Sequence, residues 1–166
     1  MSKVIDASAI IRAWEYYPQR QFPGFWRWVA AELKAQRWVM SRANVEEVKH
    51  KVSELHKWLT THGLHTVEVS NDIAKMVNVF KGLLGIVDDR YAGRGVDEPD
   101  LIHIATCACL GYASVNCEAE QLDSKQELRN SRIPRVCRLD GVRVDYMDLT
   151  KCVSASKVVF DDFERS

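Results

Sequence analysis

The sequence has no cysteine pair at Cys-x-x-Cys spacing, and its five cysteines lie at positions 107, 109, 117, 137 and 152. This spacing and the odd count exclude a disulfide framework and a zinc knuckle. Glycine and proline number only eight and four in 166 residues, and no biased tract is present, which excludes collagen-like and disordered chains. We therefore expect one globular domain in a reducing compartment, the cytoplasm.

Net positive charge and long apolar runs are also missing. Lysine plus arginine equals aspartate plus glutamate at 23 each, so binding of nucleic acid through bulk charge is disfavoured. No stretch approaches ~18 uninterrupted apolar residues, and Asp6 interrupts the apolar N-terminal stretch before it can form a secretory signal. The sequence predicts no membrane partner. A site whose positive charge comes from a bound metal stays open.

Short apolar runs alternate with helical periodicities along the chain. We expect strands at residues 4–5, 38–40, 112–117 and 142–146, with a brief strand or a connection at 66–69. Helical patterns occupy residues 9–14, 22–36, 44–59, 70–84, 100–111 and 133–139, and a polar loop occupies 85–99. This alternation predicts an α/β domain of three layers, with a mostly parallel central sheet flanked by helices. We assign the domain to residues 1–153 and a loose or partner-binding tail to residues 154–166.

Four acids lie where this architecture concentrates function. Asp6 follows the first strand, Glu118 follows a central strand, Asp100 begins the most apolar helix and Glu47 lies early in another helix. The carboxyl ends of parallel strands form the ligand crevice, so Asp6 and Glu118 are expected at one edge. Convergent carboxylates repel one another unless a cation lies between them, and Mg²⁺ prefers oxygen ligands. Spacing alone supports ordinary turn and cap residues equally well.

Two motifs carry a family resemblance. The strand-acid-helix opening reads Val4-Ile-Asp-Ala-Ser8, and the apolar helix reads Asp100-Leu-Ile-His-Ile-Ala105 and stops at Gly111. Both resemble the PIN-domain nucleases, among them the VapC-like toxins, and the resemblance covers nearly the whole chain. Three further phrases are similar to an uncharacterised PIN-like bacterial branch found in toxin–antitoxin pairs: Phe22-Pro-Gly-Phe-Trp26, Ile133-Pro-Arg-Val-Cys137 and Gly141-Val-Arg-Val144.

The resemblance implies a metal-dependent endoribonuclease that hydrolyses RNA phosphodiester bonds, the toxin of a type II toxin–antitoxin pair. Its metal ligands and catalytic acids fall on Asp6, Glu47, Asp100 and Glu118, and its adjoining cofactor-binding residues fall on Ser8 and Asn116. One or two Mg²⁺ or Mn²⁺ ions would lower the pKa of a bound water and stabilise charge on the scissile phosphate. The implied partners are RNA and a cognate antitoxin protein, and a homodimer stays open.

The sequence departs from the family pattern at two places. Glu46 precedes Glu47, so a register error of one residue would exchange them, and we favour Glu47. Asn116-Cys-Glu118 lies where the family usually has Thr-x-Asp, which keeps open a catalytically impaired module that binds RNA or protein. A third alternative is a haloacid-dehalogenase-type phosphatase with Asp6 as nucleophile, although that class usually has a second Asp where this chain has Ser8.

The remaining aromatic and basic residues have plainer interpretations. All five tryptophans lie in the first 58 residues, and all except Trp14 are expected in the core. Trp14, Tyr16 and Tyr17 lie near Asp6 and offer faces for stacking on unpaired bases. His103 is expected to be buried and hydrogen-bonded. The pair His62 and His65 fits a solvated loop better than a metal pair, and Arg90 and Arg94 fit phosphate contact and a solvated loop equally.

Overall fold

The computed structural model describes residues 1–121 and 127–160. Its sheet has the strand order β3-β2-β1-β4-β5, and each neighbouring pair is parallel. The strands are β1 (Lys3–Ile5), β2 (Trp38–Ser41), β3 (His65–Val67), β4 (Ala113–Asn116) and β5 (Tyr146–Asp148). All five carboxyl ends therefore lie at the same edge of the sheet.

Helices cover both faces of this sheet. They are α1 (Ala7–Tyr16), α2 (Pro23–Lys34), α3 (Arg42–Lys51), α4 (Ser53–Thr61), α5 (Asn71–Leu84), α6 (Glu98–Leu110), α7 (Ile133–Cys137) and α8 (Leu149–Ser156), with a 3₁₀ turn at Leu128–Asn130. Strand residues alternate between two hydrophobic cores: Ile5 and Met40 lie in one, and Val4 and Val39 lie in the other. The predicted three-layer α/β fold is confirmed.

Local capping residues begin and end several helices as the sequence predicts. The Ser70 hydroxyl accepts a hydrogen bond from the N–H of Ile73 at 3.2 Å and begins α5. Gly111 ends α6 with a left-handed φ of 66°, a conformation that glycine adopts without steric cost. No helix in the described part of the chain is long and apolar enough to cross a membrane.

The predicted helix over residues 44–59 is wrong, because the structure has two helices there. Val52, with φ −143° and ψ 78°, ends α3 through a hydrogen bond from its N–H to the carbonyl of Val48 at 2.7 Å. The same residue then begins α4. The side chain of Val52 packs against the first core, so the apolar periodicity continues across a break in the backbone.

The C-terminal region also differs from the expectation. Residues 142–145 do not form a strand: the chain turns at residues 140–142, where the N–H groups of Val142 and Arg143 both bond to the carbonyl of Leu139, and β5 begins only at Tyr146. Helix α8 continues into the predicted tail as far as Ser156. Residues 157–160 of the tail form no further helix or strand, and residues 161–166 lie outside the described residues.

Candidate active site

Asp6 lies where β1 passes into α1. Its N–H donates to the carbonyl of Val115 in β4 at 2.8 Å, which places it at the carboxyl edge between β1 and β4. The chain adds β2 and β3 on one side of β1 and returns to the other side with β4, so this is the point at which the strand order reverses. In open parallel sheets the ligand crevice forms at such a point.

The carboxylate of Asp6 is buried and partly used by the helix that follows. Its Oδ2 accepts hydrogen bonds from the N–H of Ser8 at 3.0 Å and from the Ser8 hydroxyl, which makes Asp6 the N-cap of α1. Asp6 is 5% exposed. The cap fixes the orientation of the carboxylate through one oxygen and does not use Oδ1.

Asp100 is positioned by a reciprocal capping box at the start of α6. Asp97 Oδ1 accepts the N–H of Asp100 at 3.1 Å, and Asp100 Oδ2 accepts the N–H of Asp97 at 3.0 Å. Helix α6 packs against β1, β2 and β4, so its first turn brings Asp100 to the strand ends. The predicted site residue is therefore also a capping residue.

The loop before α6 is held by a close approach of two backbones. The N–H of Val96 donates to the carbonyl of Ser131 at 2.8 Å. A Cβ atom on Gly95 would lie 2.0 Å from the carbonyl oxygen of Arg129, far inside van der Waals contact. Glycine at this position therefore lets the loop pack closely enough to fix the start of α6.

Glu118 lies two residues beyond β4 and is bound at both its backbone and its side chain. Asn116 Oδ1 accepts the N–H of Glu118 at 3.0 Å, and Glu118 Oε2 accepts the N–H of Ile133 at the start of α7 at 2.7 Å. Glu118 is half-buried. Asn116 thus positions the backbone of Glu118, and α7 orients its carboxylate.

Asp100 and Glu118 have raised pKa values, and other carboxylates near them contribute to the rise. Burial raises the pKa of Asp100 to about 8, and the negative charges of Asp97, Asp6 and Glu118 add to the rise, against the hydrogen bond from the N–H of Asp97. Burial also raises the pKa of Glu118, with further contributions from Asp6 and Asp97. Asp6, Asp97, Asp100 and Glu118, here called the acidic cluster, therefore repel one another.

Glu47 forms an ion pair within α3. It lies half-buried and pairs with Lys51 across 2.6 Å. The hydrogen bond from Lys51 to Glu47 raises the pKa of Lys51, and the charges of Glu47, Asp6 and Asp97 raise it further. Glu47 itself makes no described contact with the acidic cluster, so its place among the predicted metal ligands stays a prediction.

Glu46, the alternative second acid, lies on the outer face of α3. Its carboxylate is half exposed and pairs with Arg42 at 3.7 Å and with Lys49 at 3.6 Å. Both cations are exposed as well. Glu46 is therefore more exposed than Glu47, and it pairs with exposed cations of the same helix.

The donor chemistry of the cluster fits a hard divalent cation. The side chains of Asp6, Asp100 and Glu118 offer carboxylate oxygens, and in each of them one oxygen already accepts a backbone N–H. Across residues 1–121 and 127–160, no three His, Cys, Asp or Glu side chains form a ready ligand group. The type of ligand atom therefore suits Mg²⁺, but the described residues do not assemble a ligand group for it.

Comparisons with known proteins agree with this architecture. Residues 4–160 match the family described as "Domain of unknown function (DUF4411)". The chain belongs to this family. Among solved structures, the DUF4411 fold is similar to a chain in the crystal structure of VapBC2 from Rickettsia felis bound to a DNA fragment from their promoter. That match has a TM-score of 0.55 at 10% identity and covers 89% of this chain and 98% of that chain.

A second similar structure is that of DNA-bound VapBC from Salmonella typhimurium. The TM-score is 0.53 at 12% identity, and the match again covers 89% of this chain and 98% of that chain. A search of the curated proteins finds no match. At these identities the likeness concerns the fold, which is PIN-like, and at that level the resemblance inferred from the sequence is confirmed.

Beneath the acidic cluster of this DUF4411 protein lies a buried polar network. Asn44 Nδ2 donates to His103 Nδ1 at 3.0 Å, so His103 carries its proton on Nε2 and donates to Ser114 Oγ at 2.8 Å. Asn116 Nδ2 also donates to Ser114 Oγ, at 3.4 Å. Each of these residues is at most 1% exposed, and burial lowers the pKa of His103, which keeps the ring neutral. The network joins α3, α6 and β4, the elements that carry or precede Glu47, Asp100 and Glu118.

Sequence reasoning found His103 and missed its partners. The prediction of a buried, hydrogen-bonded His103 is confirmed, but no local pattern indicates that Asn44, 59 residues away, is its donor. Asp97 was also missed as part of the cluster. Its spacing to Asp100 fits a capping box and was available in the sequence.

Proposed function

We propose that this protein is a metal-dependent endoribonuclease that hydrolyses RNA phosphodiester bonds, with Asp6, Asp100 and Glu118 as metal-binding acids and Glu47 beside them. The observation that supports it most strongly is the mutual repulsion of the cluster at the point where the strand order reverses, which helps raise the pKa of Asp100 to about 8. The electrostatic repulsion among these carboxylates is greatest when no cation lies between them. The PIN-like fold agrees with the proposal.

The roles of the side chains follow from their contacts. When bound, Mg²⁺ or Mn²⁺ would supply a water of lowered pKa and neutralise charge on the phosphate. Ser8 holds the Asp6 carboxylate in orientation, the N–H of Ile133 does the same for the Glu118 carboxylate, and Asn116 holds the backbone of Glu118. Asp100 holds a proton near neutral pH and releases it when positive charge enters the cluster. Lys51, bound to Glu47, offers a positive group for the phosphate backbone.

RNA cleavage by the purified protein tests this proposal. We expect cleavage of a labelled RNA with Mn²⁺ and none with excess chelator. Asp6→Asn and Asp100→Asn should each abolish it, since each removes a charged ligand while preserving the shape of the side chain and its cap. Glu46→Gln is the matched control and should cleave normally. Full activity of Asp6→Asn would overturn the nuclease mechanism, and RNA binding without cleavage by the wild type would favour an impaired binding module.

We further propose that the protein is the toxin of a toxin–antitoxin pair. The two similar structures are VapBC complexes, which supports a small protein partner of the antitoxin type. Val158 and Val159, in the predicted tail, are 41% and 83% exposed and offer apolar contact, whereas Phe160 packs against Phe25 and Trp28 at ring-centroid distances of 5.7 Å. The tail residues Asp161, Asp162 and Phe163, expected in the same contact, lie outside the described residues.

Expression in bacteria tests the toxin proposal. The protein alone should slow growth, and co-expression of a neighbouring gene product should relieve the effect and yield a complex that co-purifies. Val159→Asp should weaken that complex, with Val79→Asp as a control because Val79 is an exposed apolar residue on α5. Normal growth under strong expression of active enzyme would contradict the toxin role, and unchanged binding by Val159→Asp would exclude the tail from the interface.

A further inference from the structure

A cavity of about 360 Å³ opens beside the acidic cluster at the carboxyl edge of the sheet. On one side it is lined by α1 and on the other by residues that follow β4 and β5: Arg12, Tyr16 and Tyr17, then Cys117, Glu118 and Ala119, then Asp148, Leu149 and Thr150. Glu118 belongs to the acidic cluster, so the cavity is continuous with the proposed catalytic site. Its volume lies within the range of pockets that hold small ligands, about 300–1,000 Å³.

Arg12 brings positive charge to this cavity. Its guanidinium donates to the carbonyl oxygen of Cys117 at 3.4 Å, and within residues 1–121 and 127–160 it forms no ion pair. Arg37 and Arg42, by contrast, are neutralised by glutamates. An exposed guanidinium with unused N–H groups is suited to the oxygens of a phosphate. The cavity thus has a cation available for an anionic ligand.

Two tyrosines supply aromatic surface next to this cation. Tyr17 is held in place by Phe22 and Phe25, with ring-centroid distances of 5.3 and 5.0 Å. Tyr16, its neighbour at the end of α1, is 65% exposed. An exposed aromatic ring on a fixed backbone, close to a cation, is the combination on which unpaired bases stack.

We propose that this cavity, the Tyr16 pocket, holds an unpaired nucleotide of single-stranded RNA next to the cleaved bond, with its base stacked on Tyr16 and its phosphate bound by Arg12. The inference deepens the proposed ribonuclease function and rests on it for the identity of the substrate. It explains how a protein with no net charge holds RNA: one local cation and one stacking surface adjoin the catalytic acids. It also predicts a preference for single strands, because paired bases cannot be splayed onto a side chain.

Binding of a fluorescein-labelled mixed-sequence hexaribonucleotide, measured by fluorescence anisotropy in chelator at low salt, tests the pocket. Tyr16→Leu should weaken binding about fivefold to a hundredfold, whereas Tyr16→Phe keeps the ring and should restore it. Arg12→Gln should weaken binding and lower the slope of log K against log salt by about one. Arg143→Gln is the control, since Arg143 is also exposed, pairs with Asp140 and precedes β5 at the opposite edge of the sheet. The same strand in a duplex should bind without dependence on Tyr16.

The proposal is overturned if Tyr16→Leu and Arg12→Gln bind the hexaribonucleotide like the wild type, or if the wild type does not bind it. Loss of antitoxin binding by these two variants with unchanged RNA binding would make the pocket a protein-docking site and would also overturn it. Cleavage with Mn²⁺, measured on the same proteins, separates this test from that of the proposed function. If RNA binding depends on Tyr16 but no cleavage occurs, the nuclease proposal is refuted and the pocket proposal stands. If cleavage occurs and neither variant affects it, the pocket proposal is refuted and the nuclease proposal stands.

Discussion

Asp100→Asn should stabilise the metal-free protein, and the gain should grow with pH. Burial and the neighbouring acids raise the pKa of Asp100 from 3.8 to about 8. Between these values the folded protein binds a proton that the unfolded chain does not, so the stability of the wild type falls as pH rises through this window. The variant has no such proton. Its amide oxygen can still accept the N–H of Asp97, so the capping box survives.

The size of this effect follows from the shift. Each pKa unit corresponds to about 1.36 kcal/mol, so a shift of about four units sets an upper limit of about 5.5 kcal/mol. Asp100 is only half-buried and its neighbours keep their charges, so solvent screening reduces that value. We expect a gain of about 1–3 kcal/mol at pH 8 and almost none at pH 4. Above pH 8 the gain should level off.

Urea unfolding in chelator, from pH 4 to pH 9, measures this gain. The matched control is Asp72→Asn, in the first turn of α5, where the carboxylate is 85% exposed and lies outside the cluster. That change should cost a few tenths of a kcal/mol, because it removes a favourable charge near a helix N-terminus. If Asp100→Asn is no more stable than the wild type at pH 8, or if its gain does not grow between pH 5 and pH 8, the shared acidic site is refuted.

Three further predictions concern the surroundings of the cluster. Gly95→Ala should destabilise the fold by about 1–3 kcal/mol in urea unfolding and reduce RNA cleavage, because the added Cβ would collide with a backbone carbonyl. Gly93 has open space around it, so Gly93→Ala should change neither stability nor cleavage. The wild type should lose stability below about pH 6.5, because buried His103 stays neutral in the folded protein while the same histidine is protonated in the unfolded chain. His103→Leu should not show this loss of stability in acid unfolding. Glu47→Gln should slow RNA cleavage and Glu46→Gln should leave it unchanged; equal rates for the two would contradict the assignment of the second acid.

The sequence contained enough local information to predict most of the fold and to place Asp6, Asp100 and Glu118 at the ends of strands and helices. Asp6 and Glu118 follow apolar strands, and parallel strands end at one edge, so their proximity follows from the fold class. Asp100 was found because a long apolar helix ends at a glycine and begins with an acid. Each of these inferences depends on residues that are neighbours along the chain.

The parts that sequence reasoning missed depend on distant neighbours. The break at Val52 leaves the apolar periodicity intact, so only the packing of α3 and α4 reveals it. The pairing of His103 with Asn44 and Ser114 joins segments that neither periodicity nor spacing connects. The interaction of the Lys51 charge with Asp6 and Asp97 likewise exists only in the folded chain.

Binding of Mn²⁺, measured by electron paramagnetic resonance on the purified protein, is the most direct test of the central claim that the acidic cluster is a divalent-cation site. We expect the wild type to bind Mn²⁺ more tightly as pH rises toward 8, since Asp100 must release its proton. Asp6→Asn should weaken binding by more than about tenfold, and Asp72→Asn should bind like the wild type. Equal Mn²⁺ affinity in the wild type and Asp6→Asn, or no binding by either, would contradict the account.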